Sequence, residues 1–248
     1  MIKKSFERSN DLIIDLGMNN GDDTDYYLKK GYRVVAIEAN PILCEQANKR
    51  FDTALKKETL IILNVAIWTG YDKKTFFINL NNNHWSSLDK TWAERNNSSC
   101  MPIEIETIPV NHLFDKFGTP LYLKIDIEGA DGLVLSQLEK CNHLPFYLSL
   151  EDCRFGYEYM SSLVKLGYQT FQILDQSQVP KMQDNEIGHY FPVGSSGPFG
   201  EYLQGEWLDY QTMVEKYSQE VRDRQNNRLA PRTHWWDIHC RGPLISDI

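Results

Sequence analysis

The 248-residue chain carries 34 acidic side chains against 26 Lys and Arg, a net charge of −8 and a pI near 5.3, a balance that argues against a partner bound through a nucleic-acid phosphate backbone. With 42% hydrophobic and 24% charged residues it has an ordinary globular composition and enough length for one substantial core. No apolar run approaches the roughly 18–20 residues that span a bilayer, and residues 1–10 are too polar for a secretory signal, so a cytoplasmic protein without membrane insertion is expected.

Residues 12–14 (Leu-Ile-Ile) begin a short apolar run that ends in a turn, which predicts a strand buried on both faces of a parallel sheet. A helix over 22–30 closed by Gly31 and a strand over 33–39 follow, then a helix from Pro41, whose fixed φ suits a first turn, to about residue 51. Residues 60–67 read as the third strand, and three strand–helix steps in series imply right-handed parallel crossovers. The pattern then changes. Strands over 74–80 and 103–110 are expected to pair around the polar loop 81–88, as an insertion lying over the sheet edge. A short helix over 111–117 leads back to strand 121–127, helix 131–140, strand 146–150, helix 157–166 and strand 168–174.

Beyond residue 175 the texture differs. Residues 188–205 are rich in Gly, Pro, Ser and aromatics and read as an ordered loop or lid. Tyr210, Val214, Tyr217 and Val221 fall on one face of a helix over 209–224. Residues 235–240 make a final strand beside the one before it. With no repeat and no composition break, one domain over 1–248 is expected, with a core over 11–175 and a C-terminal extension over 176–248 on the acceptor side. Cys44, Cys100, Cys141, Cys153 and Cys240 are odd in number and lack any C-x-x-C pair, which predicts reduced, half-buried thiols and no structural zinc.

Residues 11–38 form a strand–turn–helix–strand unit of the nucleoside-binding kind. Gly17 and Gly21 let the backbone approach a ligand, and Glu38, about twenty residues on, is placed to accept hydrogen bonds from a ribose diol. A pyrophosphate wants bare amides at a helix N-terminus, yet Asp22 and Asp23 occupy that first turn and Asp15 ends the strand. Three carboxylates suit the ammonium and sulfonium of S-adenosylmethionine, which has no phosphate. Asn64 and Ala66 end the third strand, near where the base would lie.

Residues 123–129 (Leu-Lys-Ile-Asp-Ile-Glu-Gly) place Lys124, Asp126 and Glu128 on one face of an otherwise apolar strand. Burying three charges costs several kcal/mol per ion without partners, so this run reads as functional, with Asp126 close to the turn after Gly17. Glu151 and Asp152 end the next strand and are expected to face the acceptor.

Taken together, Asp15-x-Gly17-x-Asn19-x-Gly21-x-x-Thr24, Glu38-Ala39-Asn40-Pro41, Asn64-Val65-Ala66-Ile67, Ser86-Ser87-Leu88 and the 123–129 run resemble the FkbM-type methyltransferases in order and spacing. The resemblance covers about residues 11–151. It implies a Rossmann-like class I methyltransferase fold, an α/β architecture with a doubly wound, mostly parallel seven-stranded sheet, a β insertion and a C-terminal loop and helix extension. It implies methyl transfer from S-adenosyl-L-methionine, leaving S-adenosyl-L-homocysteine, to a hydroxyl of a sugar, glycan or secondary metabolite. It also assigns donor binding to Asp15, Gly17, Asn19, Asn20, Gly21 and Thr24, with Glu38, Asn40, Asn64, Ala66, Ser86, Ser87 and Asp126. Met18 stands where such proteins commonly carry a small residue, so a more crowded turn is expected.

A hydroxyl is a poor nucleophile until its proton is removed. His84, in the polar loop beside Trp85, is the preferred base, with Asp126, Glu128 and Glu151 as alternatives. A carboxylate pair could instead hold a divalent cation that lowers the acceptor pKa, although no fixed metal motif is present. His234 and His239 read as structural or rim residues. Phe191, Phe199, Tyr202 and Trp207 offer rings for stacking on a sugar, packing being their commoner role. An NAD(P)-dependent oxidoreductase and a non-catalytic nucleoside-binding protein are the competing readings; the missing G-x-G-x-x-G disfavours the first.

Overall fold

The computed structural model describes residues 4–244. Its main sheet is built from strands β1 (Leu12–Leu16), β2 (Arg33–Ile37) and β3 (Leu60–Leu63). The insertion hairpin supplies β4 (Asp72–Asn79) and β5 (Cys100–Ile108). The main sheet then resumes with β6 (Tyr122–Ile125), β7 (Tyr147–Glu151), β8 (Thr170–Asp175) and β9 (Trp236–Arg241). The order across the main sheet is β8-β9-β7-β6-β1-β2-β3, with the two-residue strand Leu208–Asp209 added at the β8 edge. All seven long strands are parallel except β9, which lies antiparallel between β7 and β8. This is the doubly wound, mostly parallel α/β sheet that the sequence predicts. It gains an eighth, minor strand, and its last long strand is inserted between two earlier ones.

Alternation along the strands assigns the two faces. Helices α1 (Asp22–Lys29) and α2 (Pro41–Arg50) pack on one face of the sheet, while Leu12, Ile14 and Leu16 of β1 point to the other, a core shared with helices α3 (Val110–Phe117), α4 (Asp131–Leu138), α5 (Gly156–Leu166) and α6 (Tyr210–Glu220). Ile13 points to the opposite core, built with Tyr26, Tyr27, Ala47 and Phe51. The C-terminal extension closes that second face. Phe191 and Phe199 are buried there, and the Phe199 ring stacks on Tyr122 with centroids 4.2 Å apart. Both rings are therefore packing groups, unavailable to a ligand, while Tyr202 and Trp207 pack partly buried against the same cluster.

Several expected boundaries shift for local reasons. The strand expected over 60–67 breaks after Leu63, because Asn64 Nδ2 donates to the carbonyls of Glu38 (2.9 Å) and Ala39 (3.1 Å) and turns the chain away from the sheet. Ala66–Ile67 then pairs with β5 in a three-stranded sheet whose β4–β5 register runs from Asp72↔Thr107 to Asn79↔Cys100. The polar lead-in also contributes. Ser5–Glu7 pairs in parallel with His143–Pro145, and Phe6 packs edge-on against Tyr168 at 5.1 Å. All five cysteines are free thiols. No helix among the described residues is long and apolar enough to cross a membrane.

Candidate active site

The order of strands reverses between β1 and β6, and open α/β sheets place ligands at the carboxyl ends of the strands flanking such a reversal. At Gly17 the loop after β1 meets the loop after β6. Its φ is +88°, and a Cβ there would fall 1.8 Å from the Asp126 carbonyl oxygen, so only glycine fits. The Gly17 and Met18 amides donate to the Ile37 carbonyl at 3.0 and 2.9 Å, tying the turn to the end of β2. Met18 itself is buried in the second core.

Glu38 follows β2. Its Oε2 accepts from the Asn19 amide (2.8 Å) and its Oε1 from the Asn40 amide (2.7 Å). Burial outweighs these bonds and pushes its pKa up to about 7. The Asn40 side chain caps the helix that begins at Pro41 by accepting from the Ile42 amide at 3.0 Å. Asn40 and Asn64 thus brace the loops around Glu38.

Behind the turn lies a buried ionic knot. Lys124 Nζ sits 3.3 Å from Asp15, 3.4 Å from Asp23 and 3.5 Å from Asp126, and donates to the Gly17 carbonyl at 3.1 Å. Burial opposes its charge, but Asp15, Asp126 and Asp23 outweigh that and hold its pKa well above the ordinary lysine value. Thr24 Oγ1 donates to Asp15 at 2.8 Å. Asp23 also accepts from Ser195 Oγ and the Ser196 amide, each at 2.8 Å, so the first helical turn latches the extension.

Lys124, Asp126 and Glu128 do not share one strand face, because β6 ends at Ile125. Glu128 is in the left-handed region (φ +51°) and its carboxylate swings out to accept from Trp92 Nε1 (2.8 Å) and Arg95 (2.7 Å). Ser87 Oγ donates to the Glu128 carbonyl at 2.7 Å and so shapes this loop. His84 stands on a short 3-10 turn (Asn83–Trp85) capped by the Asn82 side chain. Its ring lies so close to Gly194 that a Cβ there would come within 2.9 Å of it.

Two adjoining clefts result. The first is lined by Gly17, Asn19, Glu38, Ala66, His84 and Ser86, with Asp126 and Glu128 on its far wall. Its remaining wall is apolar, including Ala39, Val65, Ile67, Phe76 and Leu88. The second, larger cleft shares His84, Asp126 and Glu128 with the first and adds Glu151, Asp237 and Trp235. Burial first, then Asp126 and Asp237, push Glu151 up to about 8.

Asp15, Gly21, Thr24, Asn40, Asn64 and Ser87 lie outside the cleft walls and hold the frame; Asn20 is exposed and bonds Asp22 at 2.7 Å. Asp152 lines neither of the two clefts. It accepts from the Tyr217 hydroxyl and from Arg222 Nε (3.2 Å), pinning α6 and the chain after it. His239 is buried within β9, and His234 bonds Asp175 at 2.7 Å. The roles of Asp23 and Asp237 escape a reading of the sequence. Their partners lie in distant segments, and only the insertion of β9 beside β7 brings Asp237 opposite Glu151.

The family model described as methyltransferase FkbM domain matches residues 15–175 of the chain. The comparison with curated proteins returned no match. Among solved structures, methyltransferase FkbM from Methylobacillus flagellatus KT is similar at 15% identity and a TM-score of 0.44, covering 68% of this chain and 41% of that one. The chain thus spans about two fifths of that protein's length. Precorrin-6y C5,15-methyltransferase from Geobacter metallireducens GS-15 is similar at 8% identity and a TM-score of 0.41, covering 98% of this chain and 83% of that one.

Proposed function

Because the chain belongs to the FkbM methyltransferase family, we propose that it transfers the methyl group of S-adenosylmethionine to a hydroxyl oxygen of a sugar, glycan or secondary metabolite. One observation carries the choice of donor. Among the described residues the first cleft is lined by Glu38, Asp126 and Glu128 and by no Lys or Arg, and Asp22 and Asp23 occupy the adjacent helical turn. A wall of carboxylate acceptors without a cation to meet phosphate oxygens disfavours a pyrophosphate and suits a ligand bearing an ammonium and a sulfonium. Glu38 would hold the ribose diol, the Gly17–Asn19 turn the amino-acid end, and the apolar wall from Ala39 to Phe76 the base.

When bound, S-adenosylmethionine supplies an electrophilic methyl on sulfur. The chain's own part is to orient the acceptor oxygen and take its proton. Among the described residues His84 is the histidine that lines both clefts, and we assign it that proton, with Asp126 and Glu151 next in line. His84→Ala should lower turnover about 100-fold or more while donor affinity holds; full turnover would move the base to one of those carboxylates. The free thiols suit a reducing compartment, and we place the protein in the cytoplasm.

Calorimetric titration with S-adenosylhomocysteine and with NAD tests the donor, and transfer of labelled methyl to a panel of hydroxyl acceptors tests the reaction. Binding of NAD without binding of S-adenosylhomocysteine would overturn the reading in favour of an oxidoreductase. Donor binding without transfer to any acceptor would favour a non-catalytic nucleoside-binding protein.

A further inference from the structure

The carboxylates where the two clefts meet exceed what the fold needs to shape a pocket. Asp126, Glu128 and Glu151 each offer one oxygen, and the three oxygens lie within 4.8 Å of one another. That spacing is about twice a Ca–O bond of roughly 2.4 Å, and a small side-chain movement brings it to twice the roughly 2.1 Å of Mg–O. We propose that Asp126, Glu128 and Glu151 form a binding site for a hard divalent cation of the Mg²⁺ or Mn²⁺ class.

A cluster of acids alone would not carry this. The second observation is Asp237, which is 7% exposed, lines the same cleft and lies opposite Glu151 in the β7–β9 register. Among the described residues it has neither a hydrogen-bond nor an ion-pair partner. A largely buried carboxylate without a counter-ion is costly, and among the described residues no Lys or Arg forms an ion pair with it. Lys124 is already divided among Asp15, Asp23 and Asp126. Arg95 is committed to Glu128 at 2.7 Å, and Arg232 is exposed where it lines the cleft. A bound cation would answer the charge that the chain leaves unpaired there.

An all-oxygen set selects hard cations over zinc or copper. Asp126 and Glu128 supply direct ligands from one loop and Glu151 from the end of β7. Asp237 answers the ion's second charge or bonds one of its waters. The site's use in catalysis, lowering the pKa of an acceptor hydroxyl, rests on the methyl-transfer reading; the binding itself does not.

The experiment is titration of the full chain with Mn²⁺, followed by the loss of the free-ion electron paramagnetic resonance signal, with Mg²⁺ as competitor. One site per chain is expected, displaced by Mg²⁺ and weakened at least tenfold in Glu151→Gln and in Asp126→Asn. Asp237→Asn, which relieves an unpaired charge and should fold at least as well as the parent, is expected to weaken Mn²⁺ several-fold. Absence of saturable Mn²⁺ binding in the parent chain at millimolar ion overturns the proposal, as does undiminished binding in both ligand variants. Uptake of a diamine such as putrescine in place of Mn²⁺ also overturns it and marks the cluster as a subsite for cationic acceptors. The readout is metal occupancy, so failure here leaves the donor titration unaffected and separately interpretable.

Discussion

Lys124→Met should destabilise the folded chain by about 3–5 kcal/mol at neutral pH, the cost typical of removing one partner from a buried ionic group. Methionine keeps the length and much of the volume of the side chain, so the loss isolates the charge. Lys124 is buried and is the shared counter-ion of Asp15 and Asp23, themselves 0% and 6% exposed. Without it Asp15 keeps one hydroxyl bond from Thr24, and Asp23 keeps its bonds from Ser195 and Ser196. Neither set neutralises a carboxylate. A domain of this kind has about 5–15 kcal/mol in hand, so the variant should unfold at markedly lower urea concentration.

The sign with pH follows. Burial already holds the Asp15 carboxyl above its ordinary value, and in the variant the loss of the Lys124 charge raises it further. The folded state then binds more protons than the unfolded one, and stability falls as pH rises through that interval. The gap from the parent should therefore be smaller near pH 5 than near pH 8. Asp15→Asn in the Lys124→Met background should recover part of the loss. A loss below about 1 kcal/mol, or one independent of pH, would show that the knot is not the counter-charge network described above.

Much of this arrangement is visible in the chain because it is local. The apolar run of β1 lies buried along its whole length, and the positive-φ glycine that ends it brings the neighbouring loops together. Asp15, Gly17, Glu38 and Asp126 all stand at or just past the carboxyl ends of adjacent strands, where sequence spacing translates directly into position. What fails is whatever depends on distant contacts. Asp23 reads as a helix N-terminal residue, yet its partner Ser195 is 172 positions away. The extended run expected at 121–127 ends at Ile125, because Lys124 turns inward to Asp15 while Glu128 takes a left-handed backbone and reaches Arg95. Asp237 carries no local signal, since a lone aspartate in an aromatic strand gains meaning only when β9 enters the sheet beside β7. Phe199 looks like a lid aromatic until Tyr122 and Tyr27 close around it.

Glu38→Ala should weaken S-adenosylhomocysteine binding about 100-fold, or about 2.8 kcal/mol. Glu38 lies on the wall of the first cleft with its carboxylate already oriented by the Asn19 and Asn40 amides. Each oxygen keeps acceptor capacity for one diol hydroxyl, and hydrogen bonds to an ionised group contribute about 1.5–3 kcal/mol each. The same burial that orients the group lifts its pKa from 4.5 to about 7. With a folded-state pKa above the unfolded one, the group's contribution to stability falls as pH rises from about 4.5 to about 7 and is level beyond. Donor binding runs the other way. The diol bonds the ionised carboxylate, so affinity in the parent should climb as pH passes through about 7 and then plateau, while Glu38→Ala should lack that inflection. Calorimetry at pH 6, 7 and 8, with urea denaturation of both proteins at each pH, separates lost affinity from lost folding. Unchanged affinity in a folded Glu38→Ala would remove this carboxylate from the donor site, and an inflection surviving the substitution would assign the titration to another group.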